Sequence, residues 1–109
     1  IKHPMSWIIL FIAGIFEVIW AVGLKYTDGF SKLLPSMVTA CAMIVSFVLL
    51  GIAARGLPIG TSYAVWTGIG TVGTVIAGIY LFHEPHDWGR IGCIMFILIG
   101  VAGLKILGK

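Results

Sequence analysis

The chain has 109 residues, of which 60% are hydrophobic and only 10% are charged, and its formal net charge is +3. Soluble domains carry roughly a quarter of their residues as charged side chains, so this composition excludes an ordinary soluble domain and indicates an integral membrane protein. The segments between the apolar stretches are only a few residues long, so any function must lie in the membrane-spanning stretches themselves.

Four apolar stretches follow one another along the chain. No charged residue lies between Lys32 and Arg55, and none lies between Arg55 and Glu84. A membrane-spanning helix needs about 20 mostly apolar residues, and each stretch approaches or exceeds that length. The sequence therefore predicts an all-α membrane protein, a single domain over residues 1–109, with spans at about 5–24, 33–54, 58–82 and 88–107.

The first span contains one charged side chain, Glu17, near its middle. A carboxylate at that depth costs several kcal/mol or more, so Glu17 is the first candidate for a functional residue. A low-dielectric environment disfavours the charged form of a carboxyl, so a proton and a cation compete for it. On the same helix face, Gly14 leaves space beside the carboxylate and Trp20 adds an aromatic ring.

Short polar segments separate the spans. Gly29, in the turn after the first span, is suited to a left-handed backbone, and Ser31 stands at the predicted N-cap of the second helix. Pro58 begins the third helix in the same way. The segment 83–87 contains histidines and carboxylates, but its proline interrupts the helical register. We expect it to be a solvent-exposed loop that binds no metal.

The second and third spans carry the polar and aromatic residues that could complete a site with Glu17. Ser46 is the polar residue nearest the middle of the second span, and Tyr63 and Trp66 lie one turn apart on the third. Aromatic faces attract cations, more strongly when water is excluded. We predict a small midplane pocket for a cation, in which a proton competes for Glu17, as in a proton-coupled antiporter. No cofactor and no enzymatic activity are expected.

Glycines mark the third span. Gly70, Thr74 and Gly78 form a stripe of small residues that allows another helix to approach closely. Gly68 and Gly70 also form a predicted bend point, although close packing alone would equally explain them.

The fourth span carries Lys105 near its end, where a lysine that anchors the helix at the membrane surface is the favoured interpretation. An accessory role for Lys105 at the pocket or a gate is the alternative. Cys41 and Cys93 are expected to be small packing residues. Three glycines predict helix contacts, including contacts between subunits, namely Gly92, Gly100 and Gly103.

The basic residues are almost evenly divided between the two sides of the membrane. A four-span topology places Lys2, Arg55, Lys105 and Lys109 on one side and Lys25, Lys32 and Arg90 on the other. The positive-inside rule then gives almost no preferred orientation. Since one chain of four helices is thin for a substrate path, we predict an antiparallel, dual-topology homodimer in which both copies of Glu17 face a shared chamber.

Four segments of the chain carry distinctive motifs, namely Gly14-Ile-Phe-Glu17-Val-Ile-Trp20, Lys25-Tyr-Thr-Asp-Gly29-Phe30, Pro35-Ser36 and Pro58-Ile-Gly-Thr-Ser-Tyr63-Ala-Val-Trp66-Thr-Gly68-Ile-Gly70. Together they resemble the small multidrug resistance transporters, over Met5 to Lys109. The family implies an antiparallel dual-topology homodimer in the bacterial inner membrane that exports cations against protons, with Glu17 as the shared site. The resemblance also implies that Gly14, Trp20, Ser46, Tyr63 and Trp66 line that site.

Within that family, Trp20, Thr67 and the segment Gly103-Leu104-Lys105 are similar to the guanidinium exporter branch. The predicted partners are therefore a second copy of the chain, a guanidinium ion, protons and membrane lipid, and no nucleic acid. An exporter of quaternary ammonium compounds is the alternative, against which Trp20 argues. A dual-topology ion channel would not need Glu17, and an accessory subunit would leave the pocket unexplained.

Overall fold

The computed structural model describes residues 3–107, with side chains from Pro4 onward. These residues form four α-helices, each long and apolar enough to cross a membrane. The prediction of an all-helical chain with four apolar helices is confirmed. The helices are α1 (His3–Thr27), α2 (Leu33–Ala53), α3 (Ile59–Phe82) and α4 (Trp88–Leu107).

Helix α1 ends in a tight turn about three residues beyond the predicted end of its span. The Thr27 hydroxyl donates to the Leu24 carbonyl at 2.8 Å and accepts from the Phe30 amide at 3.1 Å. Gly29 has a φ of +70°, so the expected left-handed conformation is confirmed. Asp28 and Phe30 on either side also have positive φ, and the chain therefore reverses direction within a few residues.

The prediction that Ser31 caps helix α2 is wrong. The N-cap residue is Lys32, which makes no side-chain capping hydrogen bond. The Ser31 hydroxyl instead donates to the Asp28 carbonyl at 2.7 Å. Ser31 is thus part of the preceding turn, and the first helical residue comes one position later than the cap signal suggested.

Helix α1 lies at the centre of the molecule and packs on both α2 and α3, whereas α4 packs mainly on α3. The overall extents are 40 × 34 × 16 Å. The shortest extent is less than half of either of the others. The protein is therefore a slab of helices, with a small core between α1, α2 and α3 that includes Leu10, Ala13, Ala53, Val65 and Trp66.

The outer faces of the slab are apolar. Helix α4 has no buried residue, and the buried residues of α2 form a single stripe of Thr39, Ala42, Ser46 and Ala53. Cys41 and Cys93 are free thiols on these outer faces. The expectation that they are packing residues is not met within the chain, because both side chains are exposed, Cys41 in a groove beside α1 and Cys93 in one beside α3.

Candidate functional site

The carboxylate of Glu17 lies directly against the backbone of α3. A Cβ atom built on Gly70 would overlap the Glu17 side chain, whose Cγ lies 2.8 Å from that position. The Oε1 atom of Glu17 is fully buried and has no hydrogen-bond partner among the described residues. Glycine at position 70 therefore makes the space in which a carboxylate with one unsatisfied oxygen can lie between two membrane-spanning helices.

This carboxylate opens onto a groove of about 280 Å³ between α1 and α3. Thr71 and Thr74 are polar residues in its wall, and the side chain of Glu84 approaches from the loop after α3. A cation in this groove would therefore lie between two carboxylate-bearing residues. The groove is lined by Glu17, Ala21, Gly70, Thr71, Thr74, Val75 and Glu84.

A row of aromatic rings crosses the neighbouring part of the slab. Trp20 on α1 packs edge-on against Phe47 on α2, with ring centroids 6.2 Å apart. Phe47 packs against Trp66 on α3 at 5.7 Å, and Trp66 packs against Tyr63 at 5.7 Å. Three helices thus contribute to one aromatic row, which brings together the predicted residues Trp20, Tyr63 and Trp66.

Ser46 fixes one member of that row in place. Its hydroxyl donates to the Ala13 carbonyl of α1 at 2.7 Å and accepts the indole N–H of Trp66 at 2.9 Å. The Ser46 side chain is 0% exposed, so it lies behind Trp66 and not on an open wall. In this chain Ser46 links α1, α2 and α3 and sets the orientation of the Trp66 ring.

Two predicted glycines are contacts between helices. A Cβ on Gly14 would lie 2.5 Å from Cγ2 of Ile69, and one on Gly68 would lie 2.6 Å from Cγ2 of Val101. Gly14 therefore allows α1 to approach α3, and Gly68 allows α3 to approach α4. Helix α3 is assigned without interruption through Gly68 and Gly70, so close packing accounts for both glycines and the bend stays a prediction.

Lys105 and the ion pair at the start of α4 do not line the groove of Glu17. The Lys105 ammonium stands over the ring of Trp7, 5.3 Å from its centroid, which ties the end of α4 to α1. In the loop region, Arg90 Nε and Asp87 Oδ1 form an exposed ion pair at 3.4 Å. Within residues 3–107, no group of three His, Cys, Asp or Glu side chains is arranged to hold a metal ion.

The structure also brings in residues that sequence reasoning missed. Two of them stand next to predicted residues in the sequence, Thr71 after Gly70 and Phe47 after Ser46. This proximity is the signal that could have identified them. Glu84 gave no such signal, because it lies after the helix in a segment that reads as an ordinary loop. Its position depends on how the chain turns at the end of α3.

Comparison with known proteins identifies the family of the chain. The sequence model of the family described as Small Multidrug Resistance protein matches residues 5–103. A guanidinium exporter of Escherichia coli strain K12 is 58% identical over 102 residues, covering 94% of this chain and 97% of that protein. Guanidinium exporters of Proteus vulgaris and Salmonella typhimurium are 56% and 55% identical, with 94% of this chain covered in each case and 98% and 97% of those proteins. The chain belongs to the small multidrug resistance family.

Proposed function

We propose that this protein is a transporter that exports guanidinium ions in exchange for protons, with Glu17 as the residue that binds both. The observation that carries the proposal is the Glu17 carboxylate, which lies against Gly70 with one buried oxygen unsatisfied. In such a place a carboxylate is stabilised either by protonation or by a bound cation. Because a proton and the cation cannot be bound at the same time, binding of one releases the other. The transport of the two ions is thereby coupled.

The chemistry of the surrounding groups favours guanidinium over a bulkier cation. Guanidinium is planar and permanently charged, and it donates parallel N–H bonds that match the two oxygens of a carboxylate. Its flat face stacks on indole rings, and Trp20 supplies one on α1, one turn from Glu17. The relatives named as guanidinium exporters, which align with nearly the whole chain, support the same substrate.

The functional unit that we propose is an antiparallel, dual-topology homodimer in the bacterial inner membrane. The grooves described above lie open on a slab whose shortest extent is 16 Å, and the nearly balanced basic residues favour neither orientation. Helix α4 offers a surface for the second copy, because nothing lies within 4 Å of the Cβ positions of three of its glycines, Gly92, Gly100 and Gly103.

Transport by the purified protein in liposomes tests this function. With a proton gradient as the only driving force, guanidinium should accumulate on the more acidic side, whereas a tetraalkylammonium ion of similar charge should be transported far more slowly. Glu17→Gln should abolish the exchange. Asp87→Asn is the matched control, because it removes an exposed carboxylate that is already paired with Arg90.

Each outcome separates the alternatives. Guanidinium flux that does not respond to the proton gradient would exclude antiport and support a channel. Equal transport of the tetraalkylammonium ion would support a multidrug exporter. Unchanged guanidinium transport by Glu17→Gln would remove Glu17 from its central role.

A further inference from the structure

The loop after α3 returns the side chain of Glu84 to the wall of the groove. His83 has a left-handed backbone, with φ 56° and ψ 37°, which reverses the chain at the end of the helix. The Glu84 amide then donates to the Gly78 carbonyl at 3.3 Å. Through this connection Glu84 lies beside the last turns of α3, although it follows that helix in the sequence.

Gly78 provides the room for this carboxylate. A Cβ atom on Gly78 would overlap the carboxylate of Glu84, just as one on Gly70 would overlap that of Glu17. Two glycines of the same helix, two turns apart, thus each accommodate a carboxylate. One belongs to the middle of α1 and the other to the start of the loop that follows α3.

The two carboxylates belong to one continuous groove. Glu84 lines the groove of Glu17 and also a second hollow of about 100 Å³ nearer the helix ends. The two hollows share Ala21, Thr74 and Glu84. The path between α1 and α3 therefore begins at Glu84, which is exposed, and ends at Glu17 in the membrane-spanning part.

The charges around Glu84 leave its carboxylate free to bind a cation. Lys25 lines the same small hollow as Glu84, but its ammonium lies over the Phe82 ring, 5.5 Å from the centroid. Among the described residues, no lysine, arginine or histidine forms an ion pair with Glu84. The carboxylate also stands at the C-terminus of α3, where the helix dipole attracts positive charge and disfavours an anion. A cation bound directly to the carboxylate would relieve that repulsion.

We propose that Glu84 is a second binding carboxylate for the transported cation, which holds guanidinium at the mouth of the groove before it reaches Glu17 or after it leaves. This role rests on the proposed export of guanidinium. A carboxylate at the mouth of a narrow groove raises the local concentration of a cation and the rate at which it is captured. The planar guanidinium ion can be bound by the same two-oxygen geometry at both ends of the path.

The test is the guanidinium concentration dependence of transport in liposomes at a fixed proton gradient. Glu84→Gln should raise the KM by roughly tenfold at low salt, with a maximal rate within about twofold of the unmodified protein, because the chemistry at Glu17 is intact. The increase should shrink at about 1 M salt, where the screening length is about 3 Å. Glu84→Asp, which keeps the charge, should have a KM close to that of the unmodified protein.

Other results would overturn the proposal. An unchanged KM in Glu84→Gln would exclude Glu84 from the path. A lower maximal rate with an unchanged KM, which Glu84→Asp does not restore, would assign Glu84 a purely structural role in the loop. Asp87→Asn controls for the loss of a nearby surface carboxylate. Failure of Glu17→Gln to abolish transport would instead contradict the proposed function, whatever Glu84→Gln does.

Discussion

The two deep tryptophans near Glu17 are held in different ways. Trp66 is 6% exposed and its indole N–H is bonded to Ser46. The indole nitrogen of Trp20 is buried without a hydrogen-bond partner among the described residues, and its ring rests edge-on against Phe47. Trp66 is therefore fixed by the protomer itself, whereas the position of Trp20 depends mainly on ring packing. Trp20 is the residue at which the width of the site is easiest to change.

Replacement of Trp20 by glycine should widen the range of transported cations. Loss of the indole removes the bulk that faces Phe47 and opens space on the face of α1 next to Glu17. The ratio of guanidinium to tetraalkylammonium transport should fall by roughly tenfold or more, since a pocket discriminates by size through contacts of this kind. The measurement is transport of both ions by the same liposomes.

Trp88→Gly is the control for that experiment. Trp88 is a tryptophan as well, but it stands at the first position of α4, is 86% exposed and does not belong to the aromatic row. Its loss should leave the ratio of the two rates unchanged. An unaltered ratio in Trp20→Gly would show that the size of the site is set elsewhere.

At the scale of the helix, α3 holds the site together through its glycines. Gly68 contacts α4, Gly70 contacts Glu17 of α1, Gly73 faces Val18 of α1, and Gly78 contacts Glu84. Close approach on several sides requires glycine at intervals along one helix. The small-residue stripe in the sequence predicted the close approach of another helix, which is seen at Gly70, whereas Gly78 accommodates a side chain of the following loop. The pattern could not say which side chains would fill the space.

Substitution of Gly70 by alanine should impair transport strongly. The added methyl group would overlap the Glu17 carboxylate and force that side chain or α1 to move. Since displacement of a reacting group by about 1 Å can cost 100-fold in rate, we expect transport to fall at least tenfold. Guanidinium exchange by the purified variant in liposomes measures the effect.

Gly60→Ala provides the matched control on the same helix. Nothing lies within 4 Å of a Cβ at Gly60, and alanine is a better helix former than glycine by about 1 kcal/mol. This variant should transport normally and be slightly more stable. Normal transport by Gly70→Ala would mean that Glu17 does not need the space against α3.

The helices could be predicted from the sequence far better than the contacts between them. A long stretch without charged residues identifies a membrane helix, because a charged side chain is costly to bury in the membrane. This signal can be read from composition alone. By contrast, the hydrogen bonds of Ser46 with Ala13 and Trp66 depend on how three helices pack together. The return of Glu84 to the groove depends on a left-handed backbone at His83, a conformation usually expected of glycine.

At the scale of the whole molecule, the slab shape and the distribution of charge point in the same direction. The described chain leaves α4 and the outer faces of α1 and α2 apolar and uncovered by its own helices, and the basic residues fix no orientation. A second chain inserted in the opposite orientation would bring two copies of the α1–α3 groove together in an antiparallel arrangement. The two mouths near Glu84 would then face opposite sides of the membrane, as exchange across a membrane requires.

Charge variants that fix the orientation should therefore be inactive alone and active together. Each such variant inserts in one direction, because the Lys and Arg balance decides the orientation of short-looped membrane proteins, and it cannot form an antiparallel pair with itself. Guanidinium export from cells should fall at least tenfold for each variant and recover on co-expression, with orientation checked by cysteine labelling from outside. Full export by either variant, once a single orientation is established, would contradict the antiparallel dimer. One variant combines Ser31→Lys, His86→Lys and Arg55→Ala, and the other combines Lys32→Ala and Arg90→Ala.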